Sequence, residues 1–151
     1  MSVALPMQLL RAREALMRRF RPYMRELGVT DQQGRILRAL AEVEWIDMLE
    51  LSTRCCIHAA SLSRIIPRLT ERGLVRRRQD TADGRRIMVS LTGKGRALQK
   101  RVALCAEQVY GELADDIGPS NFDELHRCLE VMIDALGGPE ATVPSDDVSN
   151  P

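Results

Sequence analysis

Apolar residues recur along this chain at two spacings, and the spacing changes once in the middle. Between about residues 5 and 27, Leu9, Leu16, Phe20, Tyr23 or Met24, and Leu27 keep to one side of a helix. Pro6 stands near the start, where a missing N–H does least harm, and Gly28 marks the stop. Thr30 or Asp31 caps a second helix that turns Ile36, Leu37, Leu40 and Ala41 inward. A short third helix is expected over 48–54, with Leu49 and Leu51 apolar. A fourth, ASLSRIIPRLTERG, closes at Gly73. The pattern then becomes strand-like at 74–76 and 87–91, two short runs joined by the turn-rich QDTADGRR. Thr92 caps a long helix whose Leu98, Val102, Cys105, Val109 and Leu113 advance by 4, 3, 4 and 4. Ser120 caps the last helix, with Phe122, Leu125, Leu129, Met132 and Leu136 inward, and Gly137-Gly138-Pro139 ends it.

Four helices, a hairpin and two more helices predict a mainly α fold: a winged helix-turn-helix with a two-stranded wing and a helical dimerisation region. The expected organisation is an N-terminal dimerisation helix over 1–30, a winged lobe over 31–91, C-terminal dimerisation helices over 92–137, and a disordered tail over 138–151. The first, fifth and sixth helices carry more apolar surface than one small domain can cover, so two copies are expected to pair. Two-fold symmetry would then set two fourth helices roughly 34 Å apart, one turn of DNA.

Composition narrows the chemistry. Aromatics are 3% of the 151 residues, so the core is aliphatic. No apolar run approaches the ~18 residues of a membrane span, and the N-terminus lacks a signal-peptide pattern, so a cytoplasmic location is expected. Cys55, Cys56, Cys105 and Cys128 form no C-x-x-C motif, and His58 and His126 are the two histidines, so neither metal nor cofactor is expected. Buried free thiols are the plain reading of the cysteines.

Charge changes the picture more. The formal total is +1, yet the stretch from Arg64 to Arg101 carries a net +9 and the stretch from Ala106 to Pro151 a net −10. A basic middle beside an acidic end fits a surface for a polyanion. On the fourth helix, Ser61, Ser63, Arg64 and Arg68 are the candidate DNA contacts, because a major groove admits one helix and arginine pairs two donors with guanine. Ile65, Ile66 and Leu69 face the other way. Arg76 and Arg78 on the first wing strand join this set, as do Arg85 and Arg86 at the wing tip, which are placed for phosphate or the minor groove. Asp83 and Gly84 are expected to structure the wing turn. Pro67 inside the fourth helix calls for a kink or a shortened first turn.

Residues 83–95, DGRRIMVSLTGKG, resemble the wing of the MarR family of regulators: an Asp, an Arg two later, an aliphatic strand, then Leu-Thr-x-x-Gly. Asp83, Arg85, Val89, Leu91, Thr92 and Gly95 fill those places. SLSRIIPRLTERGLVRRR resembles the family's recognition helix and first wing strand, although Pro67 departs from its pattern. The likeness covers about residues 9–136. LLRAREALMRRFRP is similar to the family's repressors of aromatic-acid catabolic operons, those of the homoprotocatechuate type among them. The resemblance implies a non-enzymatic transcriptional repressor, a homodimer joined through the first and last two helices, a pseudo-palindromic duplex operator, and release by a small aromatic carboxylic acid.

Arg13 falls on the apolar face of the first helix, in step with Leu9, Leu16 and Phe20. A buried guanidinium must be paired. It is expected to meet the carboxylate of an aromatic acid in a pocket walled by Met17, Phe20, Trp45 and His58. A structural salt bridge is the alternative for Arg13, and core packing or helix capping for Trp45 and His58. Three rival readings stand beside the regulator: an oxidant sensor acting through a cysteine, a hydrolase built on Cys55 or Cys56 with His58, and a winged-helix module for binding proteins. No cysteine lies in the first helix, where such an oxidant sensor is expected to hold one. No orienting third group accompanies the hydrolase pair, and a protein-binding wing has no need of the +9 segment.

Overall fold

Three short polar side chains start the helices that build the lobe. In the computed structural model, which describes residues 4–138, Thr30 Oγ1 accepts from Gln33 N–H while Gln33 Oε1 accepts from Thr30 N–H, both at 3.1 Å. This reciprocal cap opens α2 (Asp31–Ala41) after α1 (Leu5–Leu27) has ended on the left-handed Gly28. Asp47 caps α3 (Met48–Cys55) through Glu50 N–H at 2.9 Å. Thr92 caps α5 (Gly93–Ile117) through Gly95 N–H at 3.0 Å and donates to the Gly73 carbonyl at 2.7 Å. Between these lie α4 (Ala59–Glu71) and the strands; α6 (Pro119–Ala135) follows α5.

The sheet has three strands in the order β1-β3-β2, all antiparallel: β1 (Ile46–Asp47), β2 (Val75–Gln79) and β3 (Ile87–Leu91). A two-stranded wing was the expectation. The third strand is two residues long, too short to show alternation, and pairs Ile46 with Val89 and Asp47 with Met88. β2 runs on to Gln79, which places Arg77 and Arg78 in the ladder opposite Val89 and Met88. At the last helix, Gly118 stands before α6 with no side-chain cap, and Ser120 lies inside the helix. The expected tail falls, but for Gly138, outside the described residues.

The core sits in the lobe. Ile36, Leu37 and Leu40 of α2, Leu51 of α3, and Leu62, Ile66 and Leu69 of α4 are fully buried against Ile46, Val75, Val89 and Leu91 of the sheet. Each such side chain contributes roughly 1.5–3 kcal/mol by burial. Steps of 4 and 3 along α4 fix which side of that helix faces inward and therefore which faces out. Pro67 does not break α4, which runs unbroken from Ala59 to Glu71. The carbonyl that loses its partner is that of Ser63, an exposed residue that water reaches.

Gly95 joins the lobe to α5. A Cβ there would stand 2.0 Å from the Leu74 carbonyl oxygen, which also accepts from Thr92 N–H at 3.1 Å. Only glycine lets the first turn of α5 approach the start of β2 this closely. Outside the lobe, α5 buries Ala106 and Val109, whereas α6 buries none of its side chains. Leu5, Met7, Leu9 and Leu10 of α1 and Leu125, Val131 and Ile133 of α6 are exposed.

Candidate functional site

The outer side of α4 is open. Ser63, Arg64 and Arg68 are exposed; Arg64 and Arg68 lie one turn apart on the side opposite Leu62, Ile66 and Leu69, and Ser63 flanks them. Neither Arg64 nor Arg68 joins an ion pair among the described residues, so both guanidinium groups are free to meet an anion. Ser63 Oγ donates to the Ala59 carbonyl at 2.9 Å, which leaves its oxygen as an acceptor. Ser61, one turn before Arg64, lies on the same stripe and is half-buried.

The wing divides its arginines among three environments. Arg85 is 95% exposed, and its Nε lies 3.5 Å from Asp83 Oδ1. Asp83 organises the turn: its Oδ1 accepts from Arg85 N–H at 3.0 Å and its carbonyl from Arg86 N–H at 3.0 Å. Gly84 has nothing within 4 Å of where a Cβ would stand and has no left-handed backbone, so the turn does not require glycine there. Arg86 is held within the protein, although half of its side chain stays exposed. Its Nη2 donates to Asp47 Oδ2 at 2.5 Å and its Nη1 lies 3.7 Å from Asp80. Two carboxylates draw this cation back onto the lobe.

Arg76 and Arg78 alternate on β2 and share one side of the sheet with Trp45. The Arg78 guanidinium carbon lies 4.0 Å, and that of Arg76 4.9 Å, from the Trp45 ring centroid. Stacking holds the planar groups in place while their edges stay exposed. Trp45 therefore belongs to the wing, and its expected place in a ligand pocket is corrected. His58 is likewise outside any cleft that holds Arg13: it is exposed and precedes α4 without a side-chain capping bond.

A cleft of about 300 Å³ does lie where α1, α2 and α5 meet. Its walls include Met17 and Phe20 from α1, Arg35 and Arg38 from α2, and Tyr110 from α5, with Arg13 at the side. Phe20 and Tyr110 meet edge to face, 5.6 Å between centroids. Arg13 is not buried, as its place on the apolar face suggested. Its side chain is 46% exposed and reaches Asp31 Oδ2 at 2.7 Å. Arg35 and Arg38 from α2 and Tyr110 from α5 escaped the sequence reading. The signal open to it was an arginine pair, i and i+3, beside the apolar run of α2.

The expectation of buried free thiols holds for Cys55 alone: Cys56 and Cys128 are exposed and Cys105 is half-buried. Burial pushes the Cys55 thiol up to about 11, against a smaller opposing pull from Arg35, so it stays protonated at neutral pH.

An exposed basic helix beside a wing is the arrangement of a winged-helix DNA reader, and the comparisons agree. The sequence pattern of the MarR family matches residues 29–87. The homoprotocatechuate degradative operon repressor of Escherichia coli is 35% identical over 144 residues, spanning 95% of this chain and 97% of its own. The chain belongs to the MarR family. Its members are transcriptional regulators, and this chain is one of them and not an enzyme. Among solved structures of the family, NadR in complex with 4-hydroxyphenylacetate superposes with a TM-score of 0.76 at 34% identity, covering 87% of this chain and 93% of NadR. The repressor CouR, bound to a 23-mer DNA duplex, superposes with a TM-score of 0.79 at 25% identity over 85% and 92% of the two chains. Among the described residues of this MarR-family protein, no helix is long and apolar enough to cross a membrane.

Proposed function

We propose that the protein is a homodimeric repressor of an operon for degrading an aromatic or heteroaromatic acid, released from a pseudo-palindromic duplex operator by a small aromatic carboxylic acid. The observation that carries this reading is the cleft, in which the arginines of α1 and α2 surround an edge-to-face aromatic pair. Arginine forks match a carboxylate, and aromatic walls match a ring. Arg38 lines the cleft without an ion pair among the described residues and so has a charge to offer. Arg13 would first have to release Asp31.

The relatives support the same chemistry: one represses a homoprotocatechuate operon, and one holds 4-hydroxyphenylacetate. On the DNA side, α4 would enter the major groove with Ser63, Arg64 and Arg68 toward base edges, Ser61 beside them, and Arg76, Arg78 and Arg85 toward the backbone. The apolar groove where α1, α5 and α6 meet, lined by Leu9, Leu16, Leu113, Ile117, Leu125 and Leu129, would be covered by a second copy.

The test is duplex binding, with DNA from the protein's own upstream region, followed by fluorescence anisotropy against salt and against 4-hydroxyphenylacetate. Affinity should fall steeply with salt and by about 5–150-fold with a saturating effector. Binding that is indifferent to salt would defeat the DNA half. Binding that ignores a panel of hydroxylated aromatic acids would defeat the effector half.

A further inference from the structure

Arg35 touches both the cleft and the turn that precedes the recognition helix. It lines the cleft from α2. From there its Nη1 donates to the carbonyl oxygens of Cys55 at 2.8 Å and Cys56 at 3.1 Å. Those two residues end α3 and begin the turn into α4. Cys56 is, among the described residues, the one non-glycine with a left-handed backbone, φ 52°. An L side chain resists that conformation, so the turn needs outside restraint. Some comes from within the turn, where Ser52 Oγ donates to the Ile57 carbonyl. The backbone adds Cys56 N–H to the Thr53 carbonyl at 3.3 Å and Ile57 N–H to the Ser52 carbonyl at 3.2 Å. Arg35 adds two further bonds from a different element.

The guanidinium is poised between partners. Its Nη2 lies 3.6 Å from Asp31 Oδ2, the same oxygen that takes Arg13 at 2.7 Å. Its Nε is buried with no hydrogen-bond partner among the described residues. The two carbonyls it holds are neutral acceptors, and a carboxylate is a stronger one.

We propose that Arg35 is the positioning residue that couples effector binding to DNA release, a reading that rests on the effector cleft proposed above. An anion entering the cleft competes with the Cys55 and Cys56 carbonyls for Arg35. As the guanidinium turns toward the anion, the left-handed turn loses its clamp, and α4 loses the fixed entry that aims Ser63, Arg64 and Arg68. The effector thereby favours the state in which Arg35 has left the turn, which is the differential affinity that any such switch requires.

Arg35→Gln tests this. Calorimetry with 4-hydroxyphenylacetate should show weaker but measurable binding, because the anion loses one partner and keeps Arg38, while at saturating probe its effect on duplex affinity should collapse from the 5–150-fold range to near onefold. A variant that keeps the wild-type release ratio overturns the proposal. So does a probe affinity equal to wild type's, because the anion then makes no contact with Arg35. If the wild type itself ignores the probe, the effector reading fails with that compound, and the clamp is read without it. Amide exchange across residues 57–62 should be faster in Arg35→Gln than in wild type. Unchanged exchange in Arg35→Gln overturns the clamp whatever the ligand.

Discussion

Asp47 holds Arg86 across the lobe: one carboxylate oxygen takes the guanidinium at 2.5 Å while the other caps α3. A wing-tip cation and the start of a helix thus share one side chain. The backbone bond from Glu50, and after it the bond and charge of Arg86, hold the Asp47 carboxyl below the usual carboxylate range against an opposing desolvation. A depressed folded value means that the stability is present above the unfolded pKa and is lost as pH falls through the folded one. Asp47→Ala should therefore cost about 0.5–2 kcal/mol at pH 7 through the lost cap. In urea titrations the gap to wild type should narrow as the pH drops below about 4, where the unfolded aspartate begins to protonate.

Arg85 and Arg86 are neighbours with different fates, and DNA binding should separate them. Arg85→Ala should weaken duplex binding evenly across sequences and reduce the salt slope by about 1. Arg86→Ala should leave that slope nearly unchanged and instead loosen the wing, seen as faster amide exchange in β3. Arg64→Ala and Arg68→Ala should each lose about 1–3 kcal/mol of discrimination at one base pair. Anisotropy on a set of single-substituted duplexes measures all four.

Local signals in the chain were easy to see because their causes are local. Thr30 and Thr92 cap helices through atoms three residues away, and Gly28 and Gly73 stop them by their own backbone. What the sequence hid depends on distant partners. Arg13 steps in phase with Leu9 and Leu16, yet its long side chain leaves the apolar face to find Asp31. Trp45 was assigned by residue type to a ligand, but a two-residue strand carries it to the sheet, where β2 sets Arg76 and Arg78 on its ring. Tyr110 enters the cleft only because α5 crosses α1, a tertiary event that no periodicity encodes.

That same ring gives a clean contrast. Trp45→Ala should free Arg76 and Arg78 from stacking worth about 0.5–2 kcal/mol. Duplex affinity should fall several-fold, while calorimetry with 4-hydroxyphenylacetate should be unchanged. Lost probe binding would return Trp45 to the cleft.

Gly95→Ala should be among the most damaging single-methyl additions in the protein. The new carbon meets backbone at 2.0 Å, with no flexible side chain to yield. A loss of about 2 kcal/mol or more in equilibrium unfolding is expected. Gly84→Ala, with open space around it, should stay within about 0.5 kcal/mol of wild type.

Pro67→Ala should act in the opposite direction. An amide returns to the middle of α4 and rejoins the Ser63 carbonyl, at a position where proline is about 3 kcal/mol worse than alanine. Part of that gain is offset because proline also stiffens the unfolded chain. Thermal unfolding should move upward, and a lowered midpoint would show that Pro67 has a packing role of its own.

The last helix gives none of its side chains to the interior of its own protomer. Its free energy is then a property of the solution as much as of the chain, since mass action decides how often a lone copy finds cover for Leu125, Val131 and Ile133. Dilution alone should lower the melting temperature. With two copies paired as proposed, a cell holding few of them would keep this regulator partly unassembled, so the amount made would set how much of it is ready to bind DNA.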